Sequence, residues 1–285
     1  MGLAIAMMVG ATLVFSVLWV FVKRLAENYS IWEVSFFRNF FAMAPVIAML
    51  MAKHGWRTLR VHRPLGHVWR GVIGVIGMVL GFTSYRYMPL ADAVAISFVS
   101  PLIITALAGP LLGEKVGTFR WLVVLVGFCG VLVIVRPGSG MLQIGALVAI
   151  GAAFTSAVTA VTIRQLNKYD SSVAIVFYFT LFSTVMTAAP LPWVWQTPSA
   201  SEWAMAITAG LMGGIGQYLM TQAYALAPAA VVGPFNYAGL LWAAGFGWLV
   251  WGDVPSWHVV AGAAIVMASG LTLLYRETHR RKRPE

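Results

Sequence analysis

Residues 1–140 of this chain resemble residues 141–285 at a nearly constant offset, and each half holds five long apolar stretches. Sliding the chain by 140 pairs Ser16 with Ser156, Arg24 with Arg164 and Tyr29 with Tyr169. An offset of 139 pairs Tyr85 with Tyr224, Pro89 with Pro228, Gly113 with Gly252 and Glu114 with Asp253. Because five is odd, the second copy must enter a bilayer upside down relative to the first. Inverted duplications of this kind build the two gates of alternating-access carriers.

Composition sets the class. With 60% apolar and only 10% charged residues, and a mean hydropathy of +0.83, the chain cannot bury its apolar side chains in one water-soluble core. A hydrocarbon layer about 30 Å thick takes about 20 helical residues to cross, so 285 residues have room for ten spans and little else. The sequence predicts spans near 2–22, 31–51, 68–87, 90–112, 118–135, 141–163, 171–189, 202–223, 228–251 and 256–275. Met88-Pro89, Pro137-Gly138, Pro190 to Pro198, Ala227-Pro228 and Val254-Pro255 interrupt the helical runs between them. A barrel would alternate apolar and polar residues in segments of about ten, whereas these runs are apolar all round. The expectation is an all-α integral membrane protein of two inverted five-helix repeats, 1–140 and 141–285, the second ending in a short basic tail. The first stretch lacks a basic leader and runs on to Phe21, which reads as a retained span.

The formal charge of +10 is a topology signal. With the N-terminus inside, the cytoplasmic face collects Lys53, Arg57, Arg60, Arg63, Arg70, Lys115, Arg120, Arg164, Lys168 and the Arg276 to Arg283 tail. Only Lys23, Arg24, Arg86 and Arg136 fall outside, and Arg38 lies within the second span. Both termini are therefore expected in the cytoplasm. Short basic segments against spans face anionic lipid, at about 1 kcal/mol per residue, and make a poor nucleic-acid surface. The lone Cys129 excludes an internal disulfide and a thiolate metal site. No His-Glu-x-x-His or Walker sequence is present, so neither metalloprotease chemistry nor ATP hydrolysis by this chain is expected, and no cofactor is called for. Gly213, Gly214 and Gly216 follow no strand and do not make a dinucleotide fingerprint.

The segment from Ser84 to Leu102, which reads Ser-Tyr-Arg-Tyr-Met-Pro-Leu-Ala-Asp-Ala-Val-Ala-Ile-Ser-Phe-Val-Ser-Pro-Leu, is followed by Leu112-Gly-Glu-Lys-Val-Gly and Arg120-Trp121. Its second copy runs from Ala223 to Tyr237, with Gly252-Asp253 beyond. Together they resemble the EamA family of the drug/metabolite transporter superfamily over essentially the whole chain. The size and aromatic-rich spans look most like the bacterial YddG-type exporters of aromatic and other neutral amino acids. The resemblance implies a carrier in the plasma membrane, the bacterial inner membrane, that moves a small-molecule substrate and for which a monomer suffices, with oligomeric state open. It leaves open an uptake carrier for adenosylmethionine, riboflavin or a nucleoside-like metabolite. A non-transporting scaffold would have no use for paired repeats around a polar centre.

A carrier must hold its solute near the bilayer midplane on hydroxyls, amides and aromatic faces. Ser97, Ser100, Pro101 and Thr105 share a face of the fourth span, serving either a cavity or helix packing. In the ninth, Pro234, Tyr237 and Leu241 share a face with Asn236 adjacent, and a proline with an amide inside a span favours a cavity. Gln217 lies deep in the eighth span, with Tyr218 and Gln222 on another face. Trp19 and Tyr85 are placed either to stack on an aromatic solute or, for Trp19, to anchor at the interface. Arg38 is the most expensive residue, since an arginine at a span centre costs about 2.5–3.5 kcal/mol on insertion scales. It either binds the carboxylate of an amino acid or ties helix ends together. Glu33, about 140° around the helix, is a poor partner for it, and Asp92 at the start of the fourth span complements a helix dipole.

Overall fold

The computed structural model describes residues 2–53, 55–100, 102–103, 117–135, 142–227 and 233–281. Ten helices of eight residues or more run through them: α1 Gly2–Asn28, α2 Ile31–Lys53, α3 Pro64–Tyr87, α4 Leu90–Ser97, α5 Thr118–Val135, α6 Leu142–Leu166, α7 Ser172–Ala188, α8 Ala200–Leu226, α9 Ala238–Trp251 and α10 Trp257–Arg281. Single helical turns at Leu191–Val194, Trp56–Leu59 and Gly233–Tyr237 join them, and the described residues contain no strand. Four segments are long and apolar enough to cross a bilayer by themselves, Gly2–Asn28, Ile31–Ala52, Pro64–Tyr87 and Ile144–Ile163.

Local sequence sets the helix ends. Pro64 opens α3 at a position whose N–H would have no helical acceptor. Met88-Pro89 ends it, because a proline disfavours helical geometry in the preceding residue. Ser171 caps α7 by accepting from the Ala174 N–H at 3.1 Å. Ser199 and Glu202 form a reciprocal capping box on α8. Gly252 closes α9 in the left-handed region at φ +72°, where a side chain would clash with the backbone.

Helix pairing follows the duplication. α1 packs on α8 as α6 packs on α3; α2 packs on α8 as α7 on α3; and α1 packs on α9 as α6 on α4. The pairs α2 with α7, α4 with α9 and α5 with α10 map onto themselves. Exchanging the first five helices for the last five therefore leaves this pattern unchanged. Equivalent glycines allow the close approaches: a Cβ on Gly71 would overlap the Phe182 ring of α7, and one on Gly210 would overlap Phe41 of α2.

The rim contacts show that the copies are inverted. On one rim the Tyr29 hydroxyl, just past α1, donates to Glu202 at the start of α8 at 2.7 Å. The Gln196 N–H donates to Glu33 at the start of α2 at 3.1 Å. Lys23 pairs with Asp253 beyond α9 at 3.3 Å. On the opposite rim Asp170, just past α6, accepts from the His62 backbone N–H at 2.8 Å and lies 2.9 Å from both the His62 and His67 rings. Tyr178 there donates to the Leu59 carbonyl at 2.9 Å. Since α1 ends on one rim and α6 on the other, the two copies run in opposite directions.

The rims are equivalent in position and different in chemistry. Tyr169, the counterpart of Tyr29, lies beneath the Arg63 guanidinium at 4.0 Å, and Arg63 is the counterpart of Glu202 at the offset of 139. Burial, then the bond to Glu202, pushes the Tyr29 pKa up to about 12. Burial alone would raise that of Asp170, but the His62 N–H and the two imidazole rings outweigh it and hold the carboxyl at about 2.

Candidate functional site

Within their described residues the fourth and ninth spans depart from the regular helices that 90–112 and 228–251 anticipate: the fourth breaks at Phe98 and Val99 and is helical again at Ser100 and at 102–103, and the ninth opens as a 3-10 turn. Regular helix in α4 stops at Ser97. Val99 bonds back to Ile96 at 3.0 Å and Leu102 to Val99 at 2.9 Å, both three-residue returns. Pro101 lies outside the described residues, yet its residue type accounts for the stop: it has no N–H to offer the Ser97 carbonyl four residues back. In the ninth span the chain runs as a 3-10 turn over Gly233–Tyr237 before α9 begins at Ala238. The break lies at the equivalent place, because Phe98 and Tyr237 correspond at the offset of 139.

The breaks meet inside an aromatic cluster. The Phe98 and Tyr237 rings pack edge to face with centroids 5.0 Å apart. Trp19 lies 6.3 Å from Tyr85 and 6.4 Å from Phe15, and Phe82 lies 6.2 Å from Tyr85. Leu90, Val94 and Ala243 back this group. Trp19 thus packs inward against Tyr85. The buried Tyr237 hydroxyl has no hydrogen-bond partner and abuts Gly270 of α10.

Arg38 stands on the other side of this group. It is 5% exposed, donates from Nη1 to Asn39 Oδ1 at 2.7 Å and lies along Gly213 of α8, where a Cβ would crowd its Nε. Asn39 in turn donates to the Ser35 carbonyl at 2.8 Å and contacts Met78 Sδ at 3.4 Å. Met78 packs on the cluster that holds Trp19 and Tyr85. Two side chains, Asn39 and Met78, therefore link a charged group to an aromatic wall.

Arg70 corrects the sequence reading, which counted it among the cytoplasmic loop charges. α3 begins at Pro64, four residues before the expected start, and carries Arg70 nearly two turns into the helix. It is 5% exposed, its guanidinium lies 3.9 Å from the Phe179 ring centre, and its Nε and Nη1 are buried without a partner. α2, which carries Arg38, packs against α3, which carries Arg70.

The remaining candidates are scattered. Ser97 bonds the Val94 carbonyl of its own helix at 2.7 Å, and Ser100 is half-buried at the break. Asn236 is half-buried in the 3-10 turn. The same turn includes the Pro234 backbone, while the Pro234 side chain lies outside the described residues. Gln217 is half-buried and its carbonyl accepts from Thr221 at 2.7 Å. A narrow cleft between α2, α7 and α8 is lined instead by Tyr218, Thr221 and Gln222 with Val46, Met49 and Ser172. Asp92 is half-buried in the first turn of α4. No cluster of metal-ligating side chains occurs among the described residues.

Irregular turns at equivalent positions, an aromatic centre and buried cations within an inverted ten-helix bundle are features of a membrane transport protein. The EamA-like transporter family model matches the chain twice, over residues 2–136 and 143–275, and the chain belongs to that family. It is 31% identical to the pseudopaline exporter CntI of Pseudomonas aeruginosa, covering 92% of this chain and 93% of that one. It is 34% identical to a riboflavin transporter of Vibrio cholerae over 80% and 77% of the two chains. An S-adenosylmethionine uptake transporter of Rickettsia felis is 27% identical over 90% and 86%. A solved structure with 20% sequence identity superposes with a TM-score of 0.70 over 96% of this chain and 98% of its own, a likeness of fold alone.

Proposed function

We propose that this transporter is a secondary carrier of the bacterial inner membrane, with both termini in the cytoplasm, that exports amino-acid-like metabolites by rocking its two halves around a central site. Aromatic and other neutral amino acids are the simplest solutes of this kind. The meeting of the α4 and α9 breaks at Phe98 and Tyr237 carries the reading, because discontinuous helices at equivalent positions leave backbone groups for a solute at the repeat interface. Trp19, Tyr85 and Tyr237 would face an apolar or aromatic part, and Arg38 a carboxylate, with Ser97, Ser100, Pro101, Gln217, Pro234 and Asn236 as the polar lining.

Counterflow in proteoliposomes tests it. Labelled phenylalanine should exchange, and Arg38→Gln should weaken its transport far more than that of phenethylamine, which lacks the carboxylate. Loss of a charge-assisted hydrogen bond costs about 1.5–3 kcal/mol, a tenfold to hundredfold fall in affinity. Equal losses for both solutes would return Arg38 to a structural role. The names of two relatives favour a second reading, uptake of a larger ring-bearing metabolite. Counterflow of riboflavin or adenosylmethionine, with none of phenylalanine, would select it.

A further inference from the structure

We infer that Arg38 and Arg70 together form a site for a doubly anionic group, either two neighbouring carboxylates or one phosphoryl group, so that the preferred solute carries a second negative charge that a simple neutral amino acid lacks. The inference rests on the carrier reading above and narrows its solute.

A guanidinium held inside a membrane bundle is normally matched by a carboxylate or by carbonyls, since an unpaired buried charge is costly. The ion pairs between described side chains are Lys23 with Asp253, Arg24 with Glu27, and Asp170 with His62 and His67. None includes Arg38 or Arg70. Arg38 is served by the Asn39 amide oxygen, a neutral acceptor. Arg70 rests on the Phe179 ring, which attracts a cation without accepting its N–H groups. Two of its nitrogens stay buried and unpartnered. Two buried like charges on adjacent helices, neither paired with a carboxylate, are stabilised by an anion between them.

The placement suits a transported anion. Arg38 extends along Gly213 at the middle of α8, and Arg70 extends along Gly74 of α3, where a Cβ would overlap its Nη1. Gly74 and Gly213 are equivalent at the offset of 139, so the two guanidinium groups rest against equivalent glycines of α3 and α8. The Ser35 and Ser183 hydroxyls, buried and unpartnered, lie on the facing helices α2 and α7. A guanidinium presents paired donors that match carboxylate or phosphoryl oxygens.

Binding to the full chain in detergent tests this, read by its intrinsic tryptophan fluorescence at about pH 7.5, where the probe carboxylates are ionised. The probes are phenylsuccinate with two carboxylates, 3-phenylpropionate with one, and phenyl phosphate. Phenylsuccinate or phenyl phosphate should bind at least about tenfold tighter than 3-phenylpropionate, and whichever does so identifies the group. Arg70→Gln should abolish that advantage while changing 3-phenylpropionate affinity by less than about twofold, whereas Arg38→Gln should weaken all three. Arg70→Lys, which keeps the charge, should retain part of the advantage and serves if Arg70→Gln fails to fold. A wild type that does not discriminate among the probes, or an Arg70→Gln protein that still does, overturns the inference. Counterflow of the tightest probe separates the two claims: binding without counterflow leaves the site and removes the carrier reading.

Discussion

Phe98 and Tyr237 are equivalent positions of the two repeats, and they touch, ring edge to ring face at 5.0 Å and 80°. Residues exchanged by a two-fold axis can meet only on that axis, and inverted repeats have their axis in the membrane plane. The contact therefore lies on the axis that relates the two repeats.

The Tyr237 hydroxyl at that contact has no acceptor. Tyr237→Phe should leave thermal stability unchanged or raise it by up to about 1 kcal/mol, because a buried unpartnered hydroxyl is unfavourable. Transport of a ring-bearing solute should fall in the same variant. Unfolding in detergent and counterflow measure the two effects separately. A loss of stability would mean that the hydroxyl has a partner in the folded state.

Asp170 gives one rim a defined pH response. Its folded pKa of about 2 lies below the ordinary value of about 3.9, so its stabilising contribution is complete above about pH 4 and is lost as pH falls toward 2. Asp170→Asn should cost about 1–2 kcal/mol at neutral pH. The gap between variant and wild type should close on acidification below about pH 4. A gap undiminished at about pH 2 would mean that Asp170 acts through packing.

Bonds join helix ends of the two repeats at both rims in this structure. Replacing Asn28 and Glu202, whose side-chain tips lie 3.4 Å apart, with cysteines in a Cys129→Ser background should allow a short bifunctional methanethiosulfonate to bridge them, abolishing transport until reductant releases it. Full activity of the crosslinked protein would exclude rocking at that rim.

Charge asymmetry across the bilayer predicts that reporters fused after Lys53 and after Gln196 lie on opposite sides, the first cytoplasmic. Reporters found on the same side would refute the inverted topology.

Much of this fold was legible in the sequence, because the offsets of 139 and 140 are written in Tyr29, Tyr85, Pro89 and Gly113 and their partners, and apolar runs locate spans without tertiary help. Thr118–Val135 coincides with its expected span. Arg38 also announced itself, as a charge too deep in an apolar run to be incidental. Arg70 did not, since its depth depends on α3 starting at Pro64, and a basic residue near a span end reads as a loop charge. Phe98 was hidden by its type: an apolar residue in an apolar helix carries no local signal. Its meeting with Tyr237 depends on how two distant helices cross. The Ser97 and Ser100 face assumed a continuous fourth helix, whereas the carbonyl left without its N–H partner by Pro101 lies where that helix stops.

The unlike partners of Tyr29 and Tyr169 bear on how such a carrier idles. One tyrosine donates to Glu202, while its twin lies under Arg63, so the two closures have no reason to be equally strong and the empty protein favours one orientation. Such a bias is not an energy source and by itself cannot set the direction of net flux. It instead divides half-saturation unevenly between the two sides, tightening one entrance as it loosens the other, with the product constrained by detailed balance. Duplication supplied two interchangeable gates, and one acid-for-base difference at their rims makes them distinguishable to the solute.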